Sequence, residues 1–230
     1  MLFRQLFEKA SSTYTYLIAD KKTKEAVVID SVRETAERDI NLIRELGLKL
    51  VYILETHIHA DHVTGAHLLK KATEAKTMVS KSAKISCSDG EFSDGDSIKF
   101  GSLTLKCIST PGHTDTCTSF YMEGFVFTGD ALMIRACGRT DFQQGSPEVL
   151  YDSVKNKLYK LPDTTLVYPA HNYNGLEVST IGEEKKWNPR LGDSISKENF
   201  IEIMKNLKLS YPAQIDVALP ANMKCGNLET

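Results

Sequence analysis

The chain has 230 residues, 28 Lys and Arg against 30 Asp and Glu, and a formal net charge of −2. That near-neutral balance argues against nucleic acid or an anionic membrane as the main partner, and no apolar run reaches the length needed to span a bilayer. The length suits one large domain or a domain with an appendage.

The opening Met1-Leu2-Phe3-Arg4-Gln5-Leu6-Phe7-Glu8-Lys9 has neither a signal-peptide core nor room for a transit peptide before the first strand, so a cytoplasmic location is expected. Tyr14 to Ala19 and Ala26 to Asp30 flank a charged turn in a hairpin pattern. A helix is expected from about Thr35 to Leu46, where Ile40, Leu42, Ile43 and Leu46 give a 3.6-residue stripe and Gly47 supplies the stop. The strand Leu50 to Leu54 follows and runs into a histidine cluster. Leu68 and Leu69 anchor a further helix, and Thr77-Met78-Val79 reads as a short strand. The polar stretch from Ser82 to Ser97 reads as loop. Ile98 to Ile108 alternates around a Gly-Ser turn, and Ser119 to Met122 pairs with Phe125 to Phe127 across Glu123-Gly124. A helix from Pro147 to Leu158 starts on a proline, as helices tolerate. The strand Thr165 to Tyr168, an amphipathic helix around Ile201, Met204, Leu207 and Leu209, and an irregular tail from Leu219 to Gly226 complete the chain.

Five scattered cysteines (Cys87, Cys107, Cys117, Cys137, Cys225) lack CxxC spacing. Reduced thiols are therefore expected rather than a disulfide framework, and most should pack as small apolar residues.

Four of the expected strands end in metal-capable residues. The first ends in Thr56-His57-Ile58-His59-Ala60-Asp61-His62, the others in His113, Asp130 and His171. Alternate residues of an extended backbone share a face, so His57 and His59 can point the same way. Imidazole and carboxylate at this density are what a borderline transition metal requires. A lone histidine there would read as a polar loop residue, whereas HxHxDH after an apolar strand reads as a metal site. His67, on the next helix, reads as surface or packing. Runs of strand and helix in this order suggest helices outside two sheets, with ligands converging from strand ends at one edge.

The ordered set His57, His59, Asp61, His62, His113, Asp130 and His171 resembles the metallo-β-lactamase superfamily, which implies an α/β fold of the αββα sandwich type. The run Gly129-Asp130-Ala131-Leu132-Met133-Ile134-Arg135-Ala136-Cys137-Gly138-Arg139-Thr140-Asp141-Phe142-Gln143-Gln144-Gly145 and the tail Pro220-Ala221-Asn222-Met223-Lys224-Cys225-Gly226 resemble the persulfide dioxygenases. The resemblance extends from Leu2 to Gly226. It implies a single domain over 1–230 with a short helical or irregular extension at about 180–230. Two departures stand out: Asn172 where the family usually has Asp, and Asp115-Thr116 where Pro-Gly is common.

The resemblance implies one Fe(II) per chain, held by His57, His113 and Asp130, with glutathione persulfide and dioxygen as substrates and sulfite and glutathione as products. It puts His59, Asp61, His62 and His171 behind the ligands, orienting them. Arg139, Tyr173 and Arg190 match positions near the substrate, and each arginine reads equally as a structural ion pair. Asp141 is expected to support the site from behind. Cys137 and Cys225 are expected to pack, whether or not they lie near it. The other enzyme reading is a dinuclear zinc hydrolase of acyl-glutathione thioesters, of the glyoxalase II kind, and a non-catalytic metal-binding module is a third. A homodimer is an open expectation that the residues do not decide.

Overall fold

The computed structural model describes residues 1–228. The chain divides into two compact units, one comprising Met1–Phe92, Ser97–Leu105 and the segment from Pro212, the other Ser93–Asp96 and Lys106–Tyr211.

In the first unit, β1 (Leu2–Glu8), β2 (Thr13–Ala19) and β3 (Glu25–Ile29) form an antiparallel run. The β2–β3 turn is fastened by Asp20, whose carboxylate accepts from the Lys22 amide at 2.8 Å. Helix α1 (Ala36–Glu45) then leads to β4 (Lys49–Leu54), and α2 (Ala66–Thr73) to β5 (Lys76–Ser80) and β6 (Gly90–Phe92). Each of these three strands lies parallel to the one before it. The sheet order is β1-β2-β3-β4-β5-β6. All seven residues of β2 are buried, and Leu17, Val28, Ile43, Leu50, Ile53 and Leu69 make one core cluster with Ala19 and Ala66. Burial of such side chains is worth about 1.5–3 kcal/mol each. It fixes β4, and therefore where the histidine loop leaves the sheet.

The second sheet has the order β12-β11-β10-β9-β8-β7. β7 (Ser97–Phe100) and the start of β8 (Leu103–Ser109) fall in the first unit, and the end of β8 in the second. β9 (Thr118–Met122) pairs antiparallel with β10 (Phe125–Gly129). Helix α3 (Pro147–Asn156) carries the chain to β11 (Leu166–Pro169), which lies parallel to β10. The Ser146 hydroxyl caps α3 by accepting from Val149 N, and Pro147 occupies the first turn. β12 (Ser179–Thr180), α4 (Ile181–Trp187) and α5 (Lys197–Lys205) follow. Val126, Leu132, Leu150, Val154, Val167 and Phe200 form this unit's core.

Three elements differ from the sequence reading. Leu2–Glu8 is an edge strand paired along its whole length with β2; its burial does not alternate cleanly, so a period-2 signal is absent. Gly90–Phe92, expected as loop, is a three-residue strand too short to show a period. The residues Leu219–Asn222, expected to be irregular, form the last turn of α6 (Ile215–Asn222). Pro220 within α6 lacks an N–H for the helix ladder, which is why it reads as a breaker.

The expectation of reduced thiols is corrected at one pair. Cys87 and Cys225 form a disulfide, with Cα atoms 5.9 Å apart and a sequence separation of 138. Spacing along the chain carries no signal for a contact of that range; only the fold brings the two within bridging distance. Cys107, Cys117 and Cys137 are buried and form no disulfide. No helix among the described residues is long and apolar enough to cross a membrane.

Candidate metal centre

In the first unit, four metal-capable side chains lie on the loop after β4. Their orientation begins at Asp30, which directly follows β3 and lies in the left-handed region (φ 54°). Its Oδ1 accepts from the Thr56 amide at 2.7 Å and its Oδ2 from the Thr56 hydroxyl at 2.9 Å. With that hydroxyl proton directed at Asp30, the Thr56 oxygen can only accept from Nδ1 of His57, 2.9 Å away. The network therefore puts the proton on Nδ1 and leaves the Nε2 lone pair of His57 for a metal.

His59 is oriented the other way round. Its Nε2 lies 3.2 Å from Asp30 Oδ1 and 3.5 Å from Glu55 Oε2, while Nδ1 faces Asp61 Oδ1 at 3.9 Å. His62 Nδ1 is 3.1 Å from Asp61 Oδ2. The His59 ring sits 4.1 Å from that of His57 and 4.4 Å from that of His62, centroid to centroid. Burial alone would lower the His59 pKa, but Asp30, followed by Asp61 and Glu55, outweighs it and raises it to about 9. Burial also pushes Glu55 up to about 8, against the opposing pull of His59.

Sequence reading missed what holds this loop. Asn222, the last residue of α6, donates from Nδ2 to the carbonyls of His59 (2.8 Å) and His62 (2.9 Å), and its Oδ1 accepts from Thr64 N at 2.8 Å. The partners are about 160 residues apart in sequence, so no local pattern could reveal them.

In the second unit, His113 follows β8 by way of Thr110-Pro111-Gly112. Gly112 has φ 133°, and a Cβ on it would meet the Leu150 backbone at 2.3 Å, so this turn fits against α3 only as glycine. His113 Nδ1 lies 2.7 Å from the carbonyl of Arg139. A carbonyl only accepts, so Nδ1 carries the proton and Nε2 keeps its lone pair. That Nε2 stands 3.7 Å from Oδ2 of Asp130, the residue after β10. The other Asp130 oxygen, Oδ1, accepts from Nδ1 of His171 at 2.8 Å. His171 thus hydrogen-bonds one carboxylate oxygen, and Asp130 Oδ2 and His113 Nε2 are atoms in this unit that could hold a metal.

The loop from Ala131 to Arg139 is anchored from behind. Arg135, at φ 57°, donates its amide to Glu184 Oε2 at 2.9 Å. Its guanidinium binds both Glu184 and Glu183. Asn188 Nδ2 donates to the carbonyl of Ala136 at 3.1 Å and to Glu184 at 2.9 Å. Glu184 is fully buried, so these partners are what make its charge tolerable.

The expected substrate residues are placed as follows. Arg139 forms a two-toothed pair with Asp141 (2.7 and 2.8 Å), donates to Ser210 O at 2.8 Å and lies over the Phe142 ring at 4.6 Å. Asp141 thereby supports Arg139 directly, and the guanidinium holds its carboxyl below the ordinary range. Arg190 donates to Cys137 O at 3.0 Å. Tyr173 is 68% exposed and stacks parallel to the His171 ring. Asn172 accepts from the amides of Asn174 (2.9 Å) and Leu176 (2.8 Å), a turn that its departure from Asp does not prevent. At Asp115-Thr116, the Thr116 amide donates to the Thr114 hydroxyl at 3.2 Å. Cys137 packs in the core, and burial pushes its thiol up to about 11. His67 lies on α2.

Two mixed sheets with flanking helices and histidine and aspartate donors at strand ends define a class of metal-dependent α/β proteins. The family model described as the metallo-beta-lactamase superfamily matches residues 9–171. The mitochondrial persulfide dioxygenase ETHE1 of Mus musculus is 51% identical over 228 residues, covering 98% of this chain and 89% of that one. The crystal structure of ETHE1 from Myxococcus xanthus superposes with a TM-score of 0.96 at 48% identity, covering 99% of this chain and 100% of that one. A hydroxyacylglutathione hydrolase of Dictyostelium discoideum is more distant, 30% identical over 77% of this chain and 69% of its own length. The chain belongs to the metallo-β-lactamase superfamily and, within it, to the persulfide dioxygenases. The expected α/β fold of that superfamily is the fold found.

Proposed function

We propose that the protein is an iron-dependent persulfide dioxygenase that converts glutathione persulfide and dioxygen to glutathione and sulfite. The near full-length similarity to persulfide dioxygenases carries this reading. Dioxygen supplies two of the three sulfite oxygens and water the third. The family match at residues 9–171 takes in parts of both compact units, and we read the chain as a single catalytic domain.

In this reading His57, His113 and Asp130 hold one Fe(II). Two imidazole nitrogens and one carboxylate oxygen are the donor set that suits it, and the lone pairs that the hydrogen bonds leave on Nε2 of His57 and His113 fit. Bound there, Fe(II) would supply the redox chemistry that activates dioxygen towards a sulfur donor, which redox-inert zinc cannot supply. The chain's own residues do the rest. Thr56 and the Arg139 carbonyl fix the two rings, and His171 fixes the Asp130 carboxylate. Arg139, Arg190 and Tyr173 receive the glutathione moiety. For Arg139 this means that a substrate carboxylate shares or replaces Asp141 on the guanidinium fork.

His59, Asp61, His62 and His171 are retained, and they would complete a second site in a dinuclear hydrolase; that is the ground for the alternative reading as a zinc thioester hydrolase. The test is an oxygen electrode loaded with iron-reconstituted protein, offered glutathione persulfide or an acyl-glutathione thioester. Oxygen uptake with sulfite release, and arrest under anaerobiosis, are expected. Rapid anaerobic thioester cleavage without persulfide-dependent uptake would replace the first reading with the second. We place the protein in the cytoplasm, which fractionation of the native cells checks.

A further inference from the structure

The C-terminal turn of the first unit grips the metal-binding loop. Asn222 is 4% exposed, and the three hydrogen bonds of its one carboxamide span residues 59 to 64, from the second histidine of HxHxDH to two residues beyond the motif. Three residues later Cys225 is bonded to Cys87. Next to it Gly226 fits so closely that a Cβ would meet Thr64 O at 2.3 Å, and its carbonyl accepts from Arg33 Nη1 at 3.1 Å. His57, His59, Asn222 and Cys225 line one small cavity of about 10 Å³. Cys225 also packs on Ile58 within the loop itself.

We infer that Asn222 is a positioning residue for the metal-binding loop, and that the Cys87–Cys225 pair sets its position, so that the loop's hold on metal depends on the thiol–disulfide state of the pair. This rests on the proposed function only in taking the loop to bind a metal. Besides the Arg33 bond to Gly226, the turn is held by the small cluster of Ile58, Val79, Ala83, Ile85 and Cys225 and by the buried face of α6. Without the covalent tie the turn samples more positions, and the three bonds to the loop lengthen or break together.

The pair is placed to exchange. Cys87 is half-buried and Cys225 buried, so Cys87 is the more accessible member of the pair. A cavity of about 330 Å³ beside the pair is lined by both cysteines with His67, Lys70, Lys71 and Lys224, of which Lys70 is paired with Asp89 at 2.6 Å. Cationic groups there favour an anionic low-molecular-weight thiol and stabilise thiolates. The attacking thiolate bonds to Cys87 Sγ, the S–S bond breaks, and Cys225 leaves as a thiolate that takes a proton. A second thiol resolves the mixed disulfide, so two reductant thiols are oxidised while the pair gains two electrons and two protons. Glutathione, the thiol released by the proposed reaction, belongs to this class.

The experiment measures anaerobic Fe(II) affinity, by competition with a chromophoric chelator, and thermal midpoint in parallel. The proteins are oxidised wild type, wild type reduced on an immobilised phosphine, Cys87→Ser, Asn222→Asp and Asn222→Ala. Asn222→Ala is expected to lose about 10- to 100-fold in affinity, the usual effect of removing a residue that orients ligands. Asn222→Asp keeps the Thr64 bond and should fall between it and wild type. Reduced wild type and Cys87→Ser should weaken by the same factor as each other, and reduction should change neither Cys87→Ser nor Asn222→Ala further. Equal affinity in oxidised and reduced wild type overturns the inference, as does thiol titration finding five free thiols in the oxidised protein. Redox dependence that persists in Asn222→Ala overturns the route through Asn222. If Asn222→Ala does not fold, the reduced wild type decides. Failure of the proposed function shows separately, as iron-loaded oxidised protein that takes up no oxygen with persulfide.

Discussion

The Nδ1–H of His113 donates to the backbone carbonyl of Arg139 across 2.7 Å, so the residue that fixes a metal-capable ring also carries the guanidinium proposed to meet the substrate. The link depends on Gly138. Its amide donates to Asp130 O at 2.7 Å, and a Cβ on it would meet His113 Cγ and Nδ1 at 2.7 Å and Asp130 O at 2.8 Å. Gly138→Ala should therefore push the ring off its carbonyl, with an overpacking cost of about 1–3 kcal/mol. The expected result is folded protein with a lower melting point and clearly reduced iron per chain. Normal iron content would mean that the ring accommodates the methyl group.

Arg139 itself is tested by truncation. If it holds a glutathione carboxylate, Arg139→Ala should weaken apparent substrate binding by about 1.5–3 kcal/mol, the range for a hydrogen bond to a charged group. Iron content should stay near normal, because His113 is held by the Arg139 backbone and not by its side chain. Arg139→Lys should not restore binding, since an ammonium cannot reproduce the fork. Loss of fold with unchanged substrate affinity would leave the Asp141 pair as the whole role of Arg139.

Much of this was legible in the chain. HxHxDH, His113, Asp130 and His171 stand where strands β4, β8, β10 and β11 end, because apolar runs announce the strands and the donors follow them directly. The structural ion pair expected as the other role of Arg139 is present as its bond to Asp141 two residues away, close enough to see in sequence. What was hidden is long-range. Asp30 sets the tautomer of His57 through Thr56, yet Asp30 looks like an ordinary strand-end residue. Asn222 and the Cys87–Cys225 bond act over more than 130 residues, and neither periodicity nor spacing reports on such contacts. Short or edge elements such as β1 and β6 were missed because a half-buried edge and a three-residue strand carry no readable period.

The buried Glu184 gives a stability prediction. It accepts from the Arg135 amide and guanidinium, Ser179 and Asn188, and so ties α4 to the loop that follows Asp130. Glu184→Ala leaves Arg135, Ser179 and Asn188 without their shared acceptor. Removing one partner from a buried pair costs about 3–5 kcal/mol, and the lower end applies because Arg135 is partly exposed. Urea unfolding should show that loss together with weaker persulfide-dependent oxygen uptake. A change below about 0.5 kcal/mol, the scale of surface substitutions, would contradict the tie.

The metal count decides which chemistry the donors serve. Protein purified without added metal should contain about one iron per chain and little zinc, because one open-sided site suffices for dioxygen chemistry whereas hydrolysis uses a filled pair. His57→Ala and Asp130→Ala each delete a proposed ligand and should lose iron and activity together. Thr56→Val keeps His57 but removes the oxygen that fixes its Nδ1 proton, so iron affinity should fall by about 10- to 100-fold without abolishing binding. His171→Ala releases Oδ1 of Asp130, which leaves the proposed ligand in place but free to rotate, and should retain part of the iron. Elemental analysis of the five proteins separates these outcomes. Two zinc ions per chain with full activity, halved by His171→Ala, would assign His171 to a second metal and end the mononuclear reading.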